Sequence, residues 1–200
     1  MVVDVGTGDG RAAYALARES SDTLVVGLDV VQESLVETSR RAARRPERGG
    51  VPNLVLALAR VQEPPEELAG RADEIRISLP WGDLLEGIAL AAPAVLDGLT
   101  ALARPGARLR IVVNGAPWRS NAPIRMRQLS QLTPEYVWST LAERYAAHGI
   151  VVKESRLLSD AEIDDLHSSW AKRLRHGRER LDLTLIDAVV LQSASWRPVS

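Results

Sequence analysis

The sequence predicts an α/β fold, a doubly wound, seven-stranded and mostly parallel sheet with helices on both faces. Three observations carry this reading. Apolar strand-like runs alternate with helix-period segments along the chain, the pattern of successive βαβ units. The first such run, Val2-Val3-Asp4-Val5, passes directly into Gly6-Thr7-Gly8-Asp9-Gly10 and then into a helix. One unit later the next apolar run, Leu24-Val25-Val26-Gly27-Leu28, ends in Asp29, an acid at the tip of a buried strand.

Strand 1 is Val2 to Val5, and its helix runs from about Arg11 to Glu19. Strand 2 ends at Asp29, and the helix after it spans about Gln32 to Arg44 before Pro46, Gly49, Gly50 and Pro52 break it. Strand 3 is Leu54 to Leu58, and Ile75-Arg76-Ile77-Ser78-Leu79 makes strand 4, leaving through Pro80-Trp81-Gly82. A long apolar helix, about Leu84 to Ala103, stops at Pro105-Gly106, and strand 5 is Arg108 to Val113. Asn114 to Pro134 has no clean periodicity and reads as a long loop, a class of segment that usually carries function. A helix from Pro134 to Ala147, a strand from Ile150 to Leu158, a helix from Asp160 to about Arg173 and a last strand from Leu181 to Leu191 complete the count.

With 200 residues, 46% hydrophobic content and a net charge of −1, the chain is expected to be a single domain spanning residues 1–200. The absence of cysteine excludes a disulfide framework, a thiolate metal site and a cysteine nucleophile. His148, His167 and His176 have no metal-ligand spacing, so no metal is expected. No apolar run approaches the ~20 residues that cross a bilayer, and Asp4, Asp9 and Arg11 interrupt the N-terminus, so a cytoplasmic location is expected. Charge is balanced overall but not locally. Arg40, Arg41, Arg44, Arg45 and Arg48 crowd one segment, and Lys172, Arg173, Arg175, Arg178 and Arg180 crowd another. Two basic patches on a near-neutral chain point to a polyanion met at defined places.

Gly6, Gly8 and Gly10 permit positive φ and close backbone approach, and the helix behind them directs free N–H groups at the same spot. A dinucleotide site prefers G-x-G-x-x-G, with a loop free to take a pyrophosphate. Here the spacing is G-x-G-x-G, and Asp4, two residues before Gly6, would repel a pyrophosphate. The same acid suits the amine-bearing end of S-adenosylmethionine (SAM), and Asp29 suits a ribose diol, which favours SAM over a nicotinamide or flavin. Seven strands with a reversed final hairpin are also the Rossmann-like architecture of class I SAM-dependent methyltransferases.

In such sheets the ligand lies at the carboxyl ends of the strands, where the glycine turn, Asp29 and the strand 4 exit converge. Methyltransferases of exocyclic amines place an acid or Asn there, with prolines and an aromatic residue. This chain has Ser78-Leu79-Pro80-Trp81 instead. An exocyclic amine needs acceptors for its hydrogens, whereas a ring nitrogen with an in-plane lone pair needs mainly to be positioned, so ring-nitrogen methylation is favoured. Trp170, beside a basic cluster, could stack a base while neighbouring arginines hold its phosphates. Trp81 and Trp170 together could sandwich a base flipped out of its stack. The competing reading makes Trp81 a cap on the sheet, Trp170 a loop-packing residue and the arginines a solvated face.

Asp-Val-Gly-Thr-Gly-Asp-Gly at 4–10, Leu-Pro-Trp-Gly-x-Leu-Leu at 79–85 and Ser-Trp-x-x-Arg-Leu at 169–174 resemble the aminoglycoside-resistance methyltransferases of small-subunit ribosomal RNA. Within that group the likeness is to the Kam type, which methylates N1 of an adenine in the decoding-site helix, and it extends along the whole chain. The resemblance implies that Trp81 and Trp170 sandwich the flipped adenine and that Pro80 and Ser168 shape the pocket. It further implies that Asp4 and Asp29 hold SAM, with Gly6, Gly8 and Gly10 forming the cofactor turn. Arg173, Arg178 and Arg180 correspond to RNA-gripping arginines after the second Trp. Arg41, Arg45 and Arg48 fall where related proteins carry lysines before Gly49-Gly50-Val51-Pro52-Asn53. Val61-Gln62-Glu63 departs from the Ala-Glu that relatives show near the cofactor adenine, so Val61 and Gln62 are the expected contacts there. Relatives also carry a hairpin ahead of strand 1, which this chain, opening on the strand, is expected to lack.

The implied activity is methyl transfer from SAM to adenine N1 of 16S ribosomal RNA in the 30S subunit, with aminoglycoside resistance as the consequence. The expected partner is the decoding-site helix of that subunit, with no DNA and no membrane, met by a monomer. Two alternatives are a small-molecule SAM-dependent methyltransferase and a catalytically weak homologue that binds RNA or SAM.

Overall fold

Five parallel strands carry the fold in the computed structural model, which describes residues 1–114, 128–164, 166 and 182–191. In chain order the strands are β1 (Val2–Val5), β2 (Val25–Asp29), β3 (Leu54–Leu58), β4 (Ala72–Ser78), β5 (Ala103–Asn114), β6 (Ile150–Leu157) and β7 (Leu183–Val190). They form one seven-stranded sheet in the order β3-β2-β1-β4-β5-β7-β6. β1 to β5 pair in parallel, while β7 lies antiparallel between β5 and β6. From β1 the chain first winds outward through β2 and β3, then returns to β4 on the other side of β1. That reversal opens a crevice at the carboxyl ends of β1 and β4, the place where doubly wound sheets hold their ligands.

The two faces of the sheet are written in the alternation of its strands. Val26, Leu28, Ile75, Ile77, Leu109 and Ile111 point into the larger core, and Val25 and Val112 point the other way. The larger core is completed by α3 (Gly82–Leu90), α4 (Pro93–Leu102) and α5, which runs through Pro134–Tyr136, a π-type turn Val137–Leu141 and Ala142–Ala146. Ile88, Leu96, Leu99 and Leu102 are fully buried there, each worth roughly 1.5–3 kcal/mol of transfer from water. On the opposite face α1 (Arg11–Glu19) packs Ala13, Tyr14 and Ala17 against Val25, Val51 and Leu54. The short α6 (Asp160–Asp164) sets Ile163 among Val112, Leu158, Leu183 and Leu185. Between β2 and β3 lies α2 (Gln32–Ala42), whose buried residues are Leu35 and Thr38.

Most predicted boundaries fall within a few residues of the observed ones, and the exceptions have physical causes. The single apolar helix expected from Leu84 to Ala103 is two, α3 and α4, bent by 97° at the break. Ala91 closes α3 in a left-handed conformation, and Pro93 opens α4 at its first turn, where its missing N–H costs nothing. β5 starts at Ala103 and runs through Pro105-Gly106, because a register shift between Ala72 and Glu74 of β4 absorbs the irregular pair. β4 likewise begins at Ala72, where the half-buried Asp73 and Glu74 precede the apolar run that the sequence shows. Among the described residues no single helix is long and apolar enough to cross a membrane. Most of the loop expected between Asn114 and Pro134, and the continuation of the helix expected from Asp160, lie outside the described residues.

Candidate functional site

The turn after β1 is held open by three left-handed glycines, Gly6 at φ 70°, Gly8 at 61° and Gly10 at 71°. Leu28 O accepts from both Gly6 N (2.8 Å) and Thr7 N (3.0 Å), which locks the turn to the end of β2. Asp29 then bridges it from the other side. Its Oδ2 accepts from Gly8 N at 2.8 Å and its Oδ1 from Val31 N at 2.9 Å. Each oxygen keeps a second lone pair for a hydroxyl donor. Gly10 acts elsewhere. A Cβ there would lie 3.0 Å from Leu56, so this glycine fits α1 against β3 and does not line the cleft. Thr38 of α2 fixes the same turn by donating its hydroxyl to Asp9 O at 2.6 Å.

Asp4 lies inside the wall of the cleft, only 6% exposed. Burial pushes its carboxyl up to about 6, although the Thr7 hydroxyl donating at 2.5 Å and the charge of Arg76 oppose the shift. Asp29 across the turn adds to it. A buried acid in this state gains from any cation brought within reach. The ammonium of an amino-acid moiety is such a cation.

The second wall is the exit of β4. Leu79 adopts φ 54°, a left-handed conformation that costs an L-residue roughly 1–2 kcal/mol. Its amide donates to Val112 O at 2.8 Å and its side chain packs against the small core of Val112, Leu158, Ile163, Leu183 and Leu185, so backbone and side chain both hold it there. Pro80 is buried behind it. Trp81 caps α3 with an extended backbone and is 52% exposed over the cleft. The third wall is Ala59 to Gln62, where Ala59 N donates to Asp29 O at 2.9 Å. Gly98 of α4 comes so close that a Cβ would lie 1.7 Å from Val61 O, and this contact fixes the segment's depth.

These walls enclose a cleft of about 650 Å³, within the range of small-molecule sites. Asp4, Gly6, Gly8, Asp29, Val61, Gln62, Pro80 and Trp81, expected from the sequence to bind cofactor or substrate, all line it. The donor set fits SAM: an acid for the amine, a carboxylate at a strand tip for the ribose, and a glycine turn leaving open space beside Gly8. Thr7, Thr38, Leu79 and Gly98 carry no sign of these roles in the sequence. Thr38 and Gly98 act on distant segments, Thr7 through a hydroxyl bond to Asp4 three residues back, and Leu79 through a left-handed backbone. Among the described residues no group of His, Cys, Asp or Glu could hold a metal ion.

Arg41, Arg45 and Arg48 are exposed around the turn Pro46–Arg48, with Arg40 and Arg44 beside them. Among the described residues none of the five forms an ion pair with a carboxylate. Ser168, Trp170, Arg173, Arg178 and Arg180 lie outside the described residues.

Comparison with known proteins identifies the lineage of this cleft. A profile of the NpmA family, described as 16S rRNA (adenine(1408)-N(1))-methyltransferase, matches residues 1–189. The chain is 35% identical over 190 residues to the 16S rRNA (adenine(1408)-N(1))-methyltransferase of Streptoalloteichus tenebrarius, covering 95% of this chain and 87% of that protein. Among crystal structures, a tryptophan-to-alanine mutant of the enzyme of that name from Catenulisporales acidiphilia, solved with the cosubstrate SAM, superposes with a TM-score of 0.87. It is 43% identical, and the match covers 99% of this chain and 88% of the other. The 16S rRNA methyltransferase KamB gives the same TM-score of 0.87 at 35% identity, over 95% of this chain and 87% of its own. Sequence and structure agree that the chain belongs to the 16S rRNA (adenine(1408)-N(1))-methyltransferase family.

Proposed function

We propose that this chain binds SAM between Asp4, Asp29 and the Val61-Gln62 segment and methylates a flipped adenine held against Trp81. As a member of its family the protein is a SAM-dependent methyltransferase of 16S rRNA, directed at adenine N1, and confers aminoglycoside resistance. The observation that carries the residue assignment is that a buried acid, a strand-tip carboxylate and an exposed indole open into one cleft.

When bound, SAM supplies an electrophilic methyl on a sulfonium. Asp4 pairs with the cationic amine, which offsets the desolvation of its own carboxylate. Asp29, already oriented by Gly8 N and Val31 N, accepts from the ribose hydroxyls. Adenine N1 presents its own lone pair, so no side chain has to remove a proton before attack. Trp81 then acts by stacking: it fixes the ring in line with the methyl and tolerates the cationic product through its π face. Trp170 supplies the second face and Ser168 and Pro80 the pocket's edge. Arg41, Arg45 and Arg48, with Arg173, Arg178 and Arg180, grip phosphates of the decoding-site helix, contacts that position without reading sequence. The protein works as a cytoplasmic monomer.

Transfer of radiolabelled methyl from SAM to isolated 30S subunits tests this reading. Labelling of the 16S rRNA is expected, and it should weaken steeply with added salt through counterion release. Unlabelled rRNA from a folded protein that binds SAM, with label entering a small-molecule extract added in parallel, would refute it.

A further inference from the structure

Tyr14 is only 5% exposed, and its ring belongs to the small core of α1, Val25, Val51 and Leu54. A phenylalanine would fill that space equally well. What packing does not need is the rest of its surroundings. The hydroxyl donates to Gly49 O at 2.6 Å. The guanidinium of Arg41, on α2, sits 4.4 Å from the ring centroid, and that of Arg18, on α1, at 6.0 Å. Both distances fall within the range of cation–π attraction. Neither arginine has a carboxylate partner among the described residues, so two like charges share one ring. An anion brought near this ring would be drawn to both charges.

The loop that Tyr14 touches is built to stay in place. Pro46 opens its 3-10 turn, Gly49 closes it at φ 83°, and a Cβ on Gly50 would lie 1.7 Å from Arg44 O. Val51 N donates to Ala42 O at 2.9 Å, tying the loop's far end back to α2. The Tyr14 amide, meanwhile, donates to Gly10 O at 2.9 Å, so the same residue stands one turn of helix from the cofactor loop.

We propose that Tyr14 is the platform that assembles the rRNA-docking surface from α1 and α2, and that Arg18 is a further member of that surface. The proposal rests on the reading of Arg41, Arg45 and Arg48 as phosphate contacts. Cation–π attraction to the ring restrains the exposed Arg41 and Arg18 beside it, and the hydroxyl fixes the turn that presents Arg45 and Arg48. Side-chain ordering that would otherwise oppose binding is thereby completed before the rRNA arrives. Guanidinium forks match phosphate oxygens, which makes a nucleic-acid backbone the natural occupant.

Binding to 30S subunits at two salt concentrations, alongside SAM calorimetry and thermal melting, tests the proposal on Tyr14→Phe, Tyr14→Leu, Arg18→Ala and an Arg45→Ala/Arg48→Ala reference. Tyr14→Phe keeps the ring and is expected to weaken 30S binding about threefold by freeing Gly49. Tyr14→Leu removes stack and hydrogen bond together and is expected to cost about tenfold. Arg18→Ala should weaken binding about fivefold and lower the salt slope by roughly one. SAM affinity should stay within about twofold of wild type in all of them, since none of these side chains lines the cleft. If the reference is weakened while Tyr14→Phe and Arg18→Ala bind like wild type, the platform proposal fails. If the reference itself binds like wild type, the docking surface lies elsewhere and both readings fall.

Discussion

Replacing Asp4 by Asn should make the unliganded protein more stable and a poorer binder of SAM at the same time. The carboxyl is buried and pushed from 3.8 to about 6, chiefly by desolvation. At neutral pH the folded state therefore carries an ionised group that the unfolded chain solvates better. A shift of roughly two units corresponds to about 3 kcal/mol lost from stability once the group is ionised in both states. The sign follows from the raised folded value. Stability from a protonated Asp4 is fully present below the unfolded value and is lost as pH rises through about 6. Asn keeps an acceptor for the Thr7 hydroxyl and has nothing to ionise. Urea unfolding should thus find Asp4→Asn more stable than wild type by about 2–3 kcal/mol near pH 7.5, with the gap closing towards about pH 4. Calorimetry should find SAM binding weakened by about tenfold to hundredfold near neutral pH, the worth of a charged hydrogen bond. In the wild type that affinity should itself decline as pH falls below about 6, and in the variant it should not. A variant less stable than wild type at both pH values, or one with unchanged SAM affinity, would refute the assignment of Asp4 as the buried partner of a cation.

Trp81→Ala should lower methylation of 30S subunits at least tenfold while SAM affinity stays within about twofold, because base stacking is worth ~1–3 kcal/mol. A fall in melting temperature with normal turnover would instead make Trp81 a packing residue. Gly98→Ala should destabilise the fold by about 1–3 kcal/mol, since its methyl would overlap Val61 O and the Val61-Gln62 wall must retreat; calorimetry should show a parallel loss of SAM affinity. Leu79→Gly relieves a left-handed conformation at the expense of apolar packing, so its stability should change by less than about 1 kcal/mol. Its turnover on 30S should nonetheless drop on the order of tenfold as Pro80-Trp81 lose their fixed direction. Normal turnover would show that the strain has no part in aiming Trp81.

Residues whose role is local along the chain are legible in the sequence alone. The glycine spacing, Asp29 at the end of an apolar run and Trp81 behind Pro80 each announce themselves within a few positions, and the cleft brings them together. Roles that depend on two distant segments are not legible in this way. Nothing in Gly98 reports that Val61 O will lie against it, and nothing in Tyr14 reports Gly49 or Arg41. The division of the apolar helix has a local cause that the sequence does carry: Pro93 sits in the middle of an apolar run whose composition otherwise reads as continuous helix. The early start of β5 has no such local sign, because Pro105-Gly106 signals a stop and only the bulged pairing with β4 explains why the strand survives it.

Primer extension on 16S rRNA from 30S subunits treated with the protein and SAM, with nucleoside mass spectrometry of the same RNA, is the most direct test of what this cleft does. A reverse-transcription stop at a single decoding-site adenine is expected, accompanied by N1-methyladenosine, and both should fall at least tenfold with Trp81→Ala. Methyl groups on another ring atom or another nucleotide, or unmodified rRNA from a folded protein that binds SAM, would contradict the assignment.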